Sequence, residues 1–113
     1  MSSTAPVLAP AIAAYIAAAN ARDSSAVSSF FAEDATVFDE GRQRVGTQDI
    51  AHWMADCAQR YQPRLQVQAV QQRTGKVLLD NLVWGAFPGS PLALRYVFRL
   101  DPQGKICRLD ISL

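Results

Sequence analysis

The hydrophobic pattern of the chain changes its period near Pro63. Before that residue, apolar positions recur at spacings of three and four, which predicts helices. After it, apolar and polar positions alternate, which predicts strands joined by tight turns. The order predicts a single α+β domain, with helices gathered in the first half and an antiparallel sheet in the second.

Three helices are predicted in the first half. Pro10 suits a first helical turn, where its missing N–H is not needed, so residues 1–9 are expected to be a loose arm and residues 10–113 the domain. Asp23 or Ser24 can cap a second helix that ends at residues 33–34. Thr47 can cap the third helix, whose apolar stripe is the clearest in the chain and comprises Ile50, Trp53, Met54, Cys57 and Tyr61.

Strand patterns fill the rest of the chain. A short hairpin is predicted between the second and third helices, with arms at 35–39 and 43–45 around the turn at Glu40-Gly41. Four longer strands are predicted after Pro63, at 65–70, 77–87, 92–100 and 106–113.

Composition narrows the classes of function. Half of the 113 residues are hydrophobic and the formal net charge is +1, whereas nucleic-acid-binding domains carry a basic footprint. There is no Lys/Arg run suited to an anionic membrane and no apolar run near the roughly 18 residues of a membrane span. We therefore expect a cytoplasmic protein with neither a nucleic-acid nor a membrane partner, and Cys57 and Cys107 as reduced thiols that pack as small hydrophobic residues in the core.

Metal and cofactor motifs are not found in the sequence. One histidine and two scattered cysteines have no ligand spacing, and no Gly-rich loop follows a strand and opens a helix. His52 lies off the apolar stripe of its helix and is expected to face solvent. The sequence predicts neither a metal nor a cofactor.

Asp39 is the first candidate for chemistry. Alternation places it on the same strand face as Val37, and a carboxylate that enters an apolar space there has a raised pKa and is a usable base for protons on carbon. The alternative interpretation is an Asp that caps the turn at Glu40-Gly41.

Four further polar residues have two interpretations each. Tyr15 lies on an apolar helix face, so it is either a core residue or a donor to an oxyanion in a pocket. Asp80 lies in the middle of a strand and is either exposed or in a cavity. Arg95 and Arg99 share a strand face with Val97 and form either an anion clamp or a stripe that faces solvent or a dimer partner.

Several segments together resemble the SnoaL-like branch of the nuclear-transport-factor-2-like superfamily. They are Phe30–Val37, the helix start at Gly46–Ile50 with Trp53, the turn at Phe87–Pro91, the strand Leu94–Leu100 and the turn at Gly104–Ile106. The resemblance covers about residues 10–113. It implies a cone-shaped fold, in which three N-terminal helices pack on a strongly curved, mostly antiparallel sheet that encloses a pocket, and often a homodimer across the sheet.

Within this superfamily the chain is similar to ketosteroid isomerases at two positions. Tyr15 matches their oxyanion-hole tyrosine, and Asp39 matches their general base. The position of their protonated Asp falls on Tyr96, which can also donate a hydrogen bond. Their two supporting tyrosines fall on Phe31 and Met54. The Asp–Arg–Asp arrangement of related epoxide hydrolases has no matching spacing here.

Two functions remain open on this evidence. The first is an isomerase- or cyclase-like enzyme that acts on a small apolar carbonyl compound, with Asp39 as base and Tyr15 and Tyr96 holding the oxyanion. The second is a non-catalytic domain for ligand binding or dimerisation. Both predict a pocket, and its expected lining residues are Phe31, Phe38, Trp53, Met54, Trp84 and Phe98.

Overall fold

The computed structural model describes residues 8–113. The expected N-terminal arm falls mostly outside these residues, although Leu8 and Ala9 pack against the core. The elements, in chain order, are α1 (Pro10–Ala21), α2 (Val27–Phe30), β1 (Phe31–Asp39), β2 (Arg42–Val45), α3 (Thr47–Tyr61), β3 (Arg64–Arg73), β4 (Lys76–Trp84), β5 (Leu92–Leu100) and β6 (Ile106–Ser112).

The six strands form one curved sheet in the order β2-β1-β6-β5-β4-β3. Every neighbouring pair is antiparallel except β1 with β6, which is parallel. This single parallel pair joins the early hairpin to the late strands, because the chain returns to β1 only after β3, β4 and β5. The predicted α+β cone, with three helices on a mostly antiparallel sheet, is confirmed.

The core lies between the helices and the inner face of the sheet. Ile12 of α1 and Ile50 of α3 have no exposed surface, and they meet the inner row of strand side chains. Burying a side chain of this size stabilises the fold by about 1.5–3 kcal/mol. The strand side chains that are also completely buried are Phe31, Ala35, Val37, Leu79, Phe98, Ile106 and Leu109.

The second helix is shorter than predicted. We expected it to run to residues 33–34, but α2 ends at Phe30 and β1 begins at once at Phe31. Phe31 pairs with Ile106 of β6, and both are fully buried. The pairing of Phe31 with a strand 75 residues away therefore outweighs the local helical spacing of Val27, Phe30 and Phe31.

Two predicted helix caps are also wrong. Ala26 precedes α2, while the carboxylate of Asp23 accepts a hydrogen bond from the backbone N–H of Ser25 at 2.9 Å. Gly46 precedes α3 with φ +88°, a conformation that favours glycine, so Thr47 is already helical. Asp49 instead binds the strand before the helix, since its Oδ2 accepts from Val45 N–H at 2.9 Å.

Strand β4 ends at Trp84 rather than at Phe87. The backbone N–H of Ala86 donates to the carbonyl of Tyr61 at 2.7 Å, which draws the chain away from the sheet and onto the end of α3. A Cβ at Gly85 would lie 2.7 Å from the Phe87 ring and 2.8 Å from the same carbonyl, so this close approach requires glycine.

The two cysteines are half-buried and unpaired. Among the described residues, no helix has both the length and the apolar character needed to cross a membrane.

Candidate functional site

A cavity of about 480 Å³ lies between the ends of α1 and α3 and the inner face of the sheet. Most of its wall is apolar. The polar and ionisable side chains on its lining are those of Tyr15, Arg22, Asp23, Ser24, Asp39, Glu40, Cys57, Tyr61, Tyr96 and Ser112. A space of this size and character is typical of a small-molecule site.

Asp39 is the last residue of β1, and strand alternation brings its side chain to the cavity. Ala35 and Val37 precede it on the same face and are fully buried, while Asp39 is half-buried because the strand ends there. Its Oδ2 accepts a hydrogen bond from Trp53 Nε1 at 3.1 Å. The pKa of the Asp39 carboxyl is raised, chiefly by burial, and the Trp53 hydrogen bond opposes that shift by stabilising the anion.

The turn after Asp39 fixes the direction of this carboxylate. Glu40 and Gly41 both have positive φ, which is the geometry of a tight hairpin between β1 and β2. The Arg44 guanidinium closes the turn by donating to the backbone carbonyls of Asp39, at 2.6 Å, and of Arg42, at 3.3 Å. Arg44 therefore binds the main chain and leaves the Asp39 carboxylate without an ion pair among the described residues.

Tyr15 and Tyr96 bring two phenols to the cavity from opposite sides of the core. Tyr15 comes from α1 and Tyr96 from β5, and their ring centroids are 6.3 Å apart. Burial raises the pKa of both hydroxyls, so both are neutral donors near pH 7. Each phenol therefore keeps a hydrogen that it can donate to a ligand in the cavity.

Aromatic rings hold Tyr15 in place. The Trp53 ring lies parallel to the Tyr15 ring, within 2° and with centroids 6.4 Å apart. Phe31 and Phe98 meet Tyr15 edge to face, with centroids 5.9 and 5.8 Å away. Trp53 therefore contacts both candidate groups, through its N–H to Asp39 and through its ring to Tyr15.

Asp39, Glu40 and Cys57 form a cluster that the sequence did not predict. One ligand-type atom from each of the three lies within 4.8 Å of the others, which makes them the group among the described residues that could hold a metal ion. Burial raises the pKa of the Cys57 thiol to about 12. Cys57 is thus a neutral thiol beside two carboxyl groups at neutral pH.

Tyr61 joins three segments at the rim of the cavity. Its hydroxyl donates to Glu40 Oε2 at 2.8 Å, and its carbonyl accepts from the N–H of Ala86. Its ring packs edge to face with the ring of Phe87, with centroids 5.9 Å apart. Arg22 donates to the carbonyl of the next residue, Gln62, at 2.9 Å. The C-terminal end of α3 therefore ties together the β1–β2 turn, the β4–β5 loop and the α1–α2 loop.

Four of the six expected lining residues lie elsewhere. Phe38 and Trp84 are 38% and 40% exposed, since alternation sends Phe38 to the face opposite Asp39 and Trp84 to the face opposite Val83. Phe31 and Phe98 are completely buried in the core behind Tyr15 and do not reach the cavity. The expected lining residues that do reach it are Trp53 and Met54.

Asp80 and Arg95 do not reach this cavity either. They pair with each other across β4 and β5 on the outer face of the sheet, with Arg95 Nε and Asp80 Oδ1 2.9 Å apart and with 45% and 37% of the two side chains exposed. The exposed interpretation of Asp80 is therefore correct. His52 is exposed, as expected.

Sequence reasoning missed most of the rim. The sequence predicted Cys57 and Tyr61 only as members of the apolar stripe on α3, and Glu40 only as a turn residue. Phe87 was placed at the junction of a predicted strand and a turn, and the strand in fact ends at Trp84. Only the approach of loops distant in sequence makes these residues neighbours.

Residues 12–109 match the sequence profile of the SnoaL-like domain. The chain belongs to the SnoaL-like family. A search of curated protein sequences found no significant match.

Solved structures agree with this family assignment. A candidate polyketide cyclase from Sinorhizobium meliloti is 32% identical, with a TM-score of 0.88 over 93% of this chain and 95% of that one. Two more distant structures share the fold. One is a protein with a ketosteroid isomerase-like fold from Catenulispora acidiphila in complex with trimethylamine (18% identity, TM-score 0.81, covering 95% of this chain and 87% of that one). The other is a candidate isomerase of the SnoaL-like family from Agrobacterium tumefaciens (19% identity, TM-score 0.73, covering 89% of this chain and 92% of that one).

The burial of Asp39 in this SnoaL-like domain has a consequence for stability. Its pKa is higher in the folded than in the unfolded chain, so the ionised carboxylate destabilises the fold above the folded pKa, and this penalty disappears as the pH falls through that value. We predict that Asp39→Asn raises Tm at pH 7 and that the gain vanishes under acid conditions, as measured by thermal unfolding across pH.

Asp80→Asn is the matched control for this effect. The pKa of Asp80 is lowered by its hydrogen bonds with Arg95, so the same substitution there should be slightly destabilising at pH 7. If Asp39→Asn lowered Tm at pH 7 as Asp80→Asn does, the carboxylate would not be under a burial penalty.

Proposed function

We propose that this SnoaL-like protein is an acid–base enzyme that needs no cofactor and acts on a small, apolar carbonyl compound. The observation that carries the proposal is the placement of the half-buried Asp39 carboxylate and two neutral phenols on the same, mostly apolar cavity. Asp39 would be the base, and Tyr15 and Tyr96 would bind the carbonyl oxygen.

The proposed reaction begins with a proton on the carbon next to the carbonyl. Asp39 takes that proton, the electrons of the C–H bond move into the carbonyl, and negative charge develops on the oxygen. The raised pKa of Asp39 supports this role, since a carboxylate that binds protons more strongly is a better base for carbon acids. Removal of water from the apolar cavity strengthens the hydrogen bonds that stabilise the oxyanion.

Tyr15 and Tyr96 are the two oxyanion donors in this scheme. Both are buried, neutral phenols on the cavity, so each has a hydrogen to donate to the oxyanion. The similarity to ketosteroid isomerases implies that Tyr15 is the direct donor. Substituting each tyrosine alone shows which of them donates.

The fate of the enolate decides between two outcomes. If Asp39 returns the proton to a different carbon, the reaction is an isomerisation. If the enolate carbon attacks a second carbonyl of the same molecule, the reaction closes a ring. The 32% identity to the candidate polyketide cyclase from Sinorhizobium meliloti supports the second outcome.

Non-catalytic ligand binding is the second candidate function. It is supported by the largely apolar wall of the cavity and by the ligand complex of the Catenulispora acidiphila structure, which holds trimethylamine in a similar fold. Under this alternative, Asp39 would bind a cationic or hydrogen-bonding group rather than move a proton.

We also propose that the protein works in the cytoplasm as a homodimer that pairs through the outer face of the sheet. One row across that face, set by strand register, contains Phe38, Asp110, Val97 and Leu78. Asp110 is paired with Arg108 at 2.9 Å, so a partner that covers the row would bury an ion pair rather than a lone charge. The two unpaired cysteines fit a reducing compartment.

Size measurement tests the dimer. We predict that light scattering at micromolar concentration gives twice the chain mass of 12.3 kDa. Phe38→Asp should shift the protein toward the single-chain mass, because it puts a charge into the proposed apolar row. A 12.3 kDa species for the parent protein would contradict the dimer.

Deuterium exchange tests the acid–base function without knowledge of the substrate. We predict that the protein accelerates α-proton exchange of 2-tetralone in D₂O, followed by NMR. Asp39→Asn should slow exchange by about 10²–10⁴-fold, and Tyr96→Phe by about 10²–10³-fold. Asp80→Asn on the outer face is the control and should have no effect. Equal rates for Asp39→Asn and the parent would reject Asp39 as the base and favour the binding function.

The pH profile tests the role of Trp53. Its hydrogen bond stabilises the Asp39 anion, so Trp53→Phe should raise the pKa of Asp39 further. We predict that the rise of exchange rate with pH moves to higher pH in Trp53→Phe. The rate at the plateau should be retained, because the phenyl ring can still pack against Tyr15. A profile displaced to lower pH would show that the indole does not act on the carboxylate.

A further inference from the structure

An aromatic ring at the rim of the cavity has no part in the proposed chemistry. Phe87 belongs to the loop between β4 and β5, is half-buried and lines the cavity. The exposed, charged side chains of Arg22, Asp23 and Glu40 also line it. A large apolar ring at the opening of a small-molecule cavity offers contact area to the ligand that enters.

Hydrogen bonds fix the loop on both sides of Phe87. The N–H of Ala86 donates to the carbonyl of Tyr61 at 2.7 Å, which ties the loop to the end of α3. The N–H of Gly85 donates to Ser90 Oγ at 3.0 Å, and the N–H of Ser90 donates to the carbonyl of Phe87 at 3.3 Å. A ligand therefore meets a preformed wall and loses little free energy in ordering it.

Gly85 makes room for the Phe87 ring. A Cβ at Gly85 would lie 2.7 Å from Cε2 and 2.9 Å from Cδ2 of Phe87, so the ring lies directly against the backbone of its own loop. The ring also packs edge to face with that of Tyr61, at an interplanar angle of 86°. Phe87 is thus held between the loop and the last turn of α3.

An apolar wall continues from the loop into the sheet. Val83 of β4 and Leu92 of β5 pair with each other at the base of the loop, and Leu65 of β3 pairs with Val83 on its other side. All three residues line the cavity, as Phe87 does. This part of the cavity matches an apolar group of a ligand better than a charged one, which would lose its hydration there.

Tyr61 separates this apolar wall from the proposed base. Its ring packs against Phe87, and its hydroxyl donates to Glu40 Oε2 at 2.8 Å. Glu40 directly follows Asp39 in the chain, and both line the cavity. A ligand whose carbonyl lies beside Asp39 therefore reaches Phe87 with a part that extends along the Tyr61 side chain.

We propose that Phe87 is a specificity residue that binds an apolar ring on the part of the ligand remote from the carbonyl. The ligand is then a ketone with an apolar arm, and the Phe87 ring contacts that arm at the rim. This inference rests on the proposed function, because it takes the carbonyl to lie beside Asp39.

Two ketones test the proposal, cyclohexanone and 4-phenylcyclohexanone, whose phenyl ring is opposite the carbonyl. Their dissociation constants can be measured by calorimetry with the full chain. We expect the parent protein to bind the phenyl compound about 10-fold more tightly or better, as burial of the added ring allows. Phe87→Ala should reduce this preference roughly 2- to 10-fold, because the contact between aromatic rings is lost.

Gly85→Ala tests the same contact without removing the ring. Gly85 itself does not line the cavity, but the added Cβ would displace Phe87, so this variant should also reduce the preference. Trp84→Ala removes a partly exposed aromatic side chain from the opposite face of the sheet and should keep the preference. A purely structural role of Phe87 would change Tm but not the ratio of the two dissociation constants.

The outcomes separate this inference from the proposed function. Equal binding of the two ketones by the parent, or an unchanged or larger preference in Phe87→Ala, would overturn the role of Phe87. The acid–base proposal would still stand if α-proton exchange depended on Asp39. A reduced preference in Phe87→Ala without such exchange would support Phe87 as a binding residue and reject the catalysis. If neither ketone bound the parent, both proposals would be overturned. Should Phe87→Ala fail to fold, Gly85→Ala decides.

Discussion

The hydrogen bond from the Trp53 indole to the Asp39 carboxylate is the contact on which the site depends. It joins the end of β1 to the middle of α3 and holds an anion at the edge of an apolar cavity. Burial by itself favours the protonated acid, because the anion loses its hydration. The hydrogen bond from the Trp53 indole stabilises the anion and offsets part of this effect. The carboxyl is thereby kept ionisable while its affinity for protons is raised, which is the state a base for carbon acids requires.

Packing in the core positions the two side chains that make this hydrogen bond. Trp53 can reach Asp39 because its ring packs parallel to Tyr15, and Tyr15 is held in turn by Phe31 and Phe98. Phe31 is placed by the parallel pairing of β1 with β6, which closes the sheet around the helices. The arrangement of the sheet thus determines both the direction of the carboxylate and the separation between it and the phenols.

Local patterns in the sequence predicted those parts of the fold that depend on local physics. The stripe on α3 and the alternation from Val37 to Asp39 were sufficient to direct Trp53 and Asp39 inward, and the Gly-containing turns marked the hairpins. The start of β1 at Phe31 was missed because its partner, Ile106, is distant in sequence. Phe38 and Trp84 were assigned to the pocket on hydrophobicity alone, although alternation places both on the outer face.

The rim of the cavity could not have been predicted from sequence. Tyr61 meets Glu40 and Phe87 only because three loops converge on the end of α3. These contacts arise from packing between distant segments, and they give an otherwise apolar cavity a polar rim.

The most direct test of Asp39 as a buried base is the pKa of its carboxyl, measured by ¹³C NMR titration of the aspartate side chains, with Asp39→Asn used to assign its resonance. We expect a pKa above the ordinary aspartate value in the parent protein and a further rise in Trp53→Phe. A pKa at or below the ordinary value would show that the carboxylate is solvated or ion-paired in solution, and would contradict its role as a buried base.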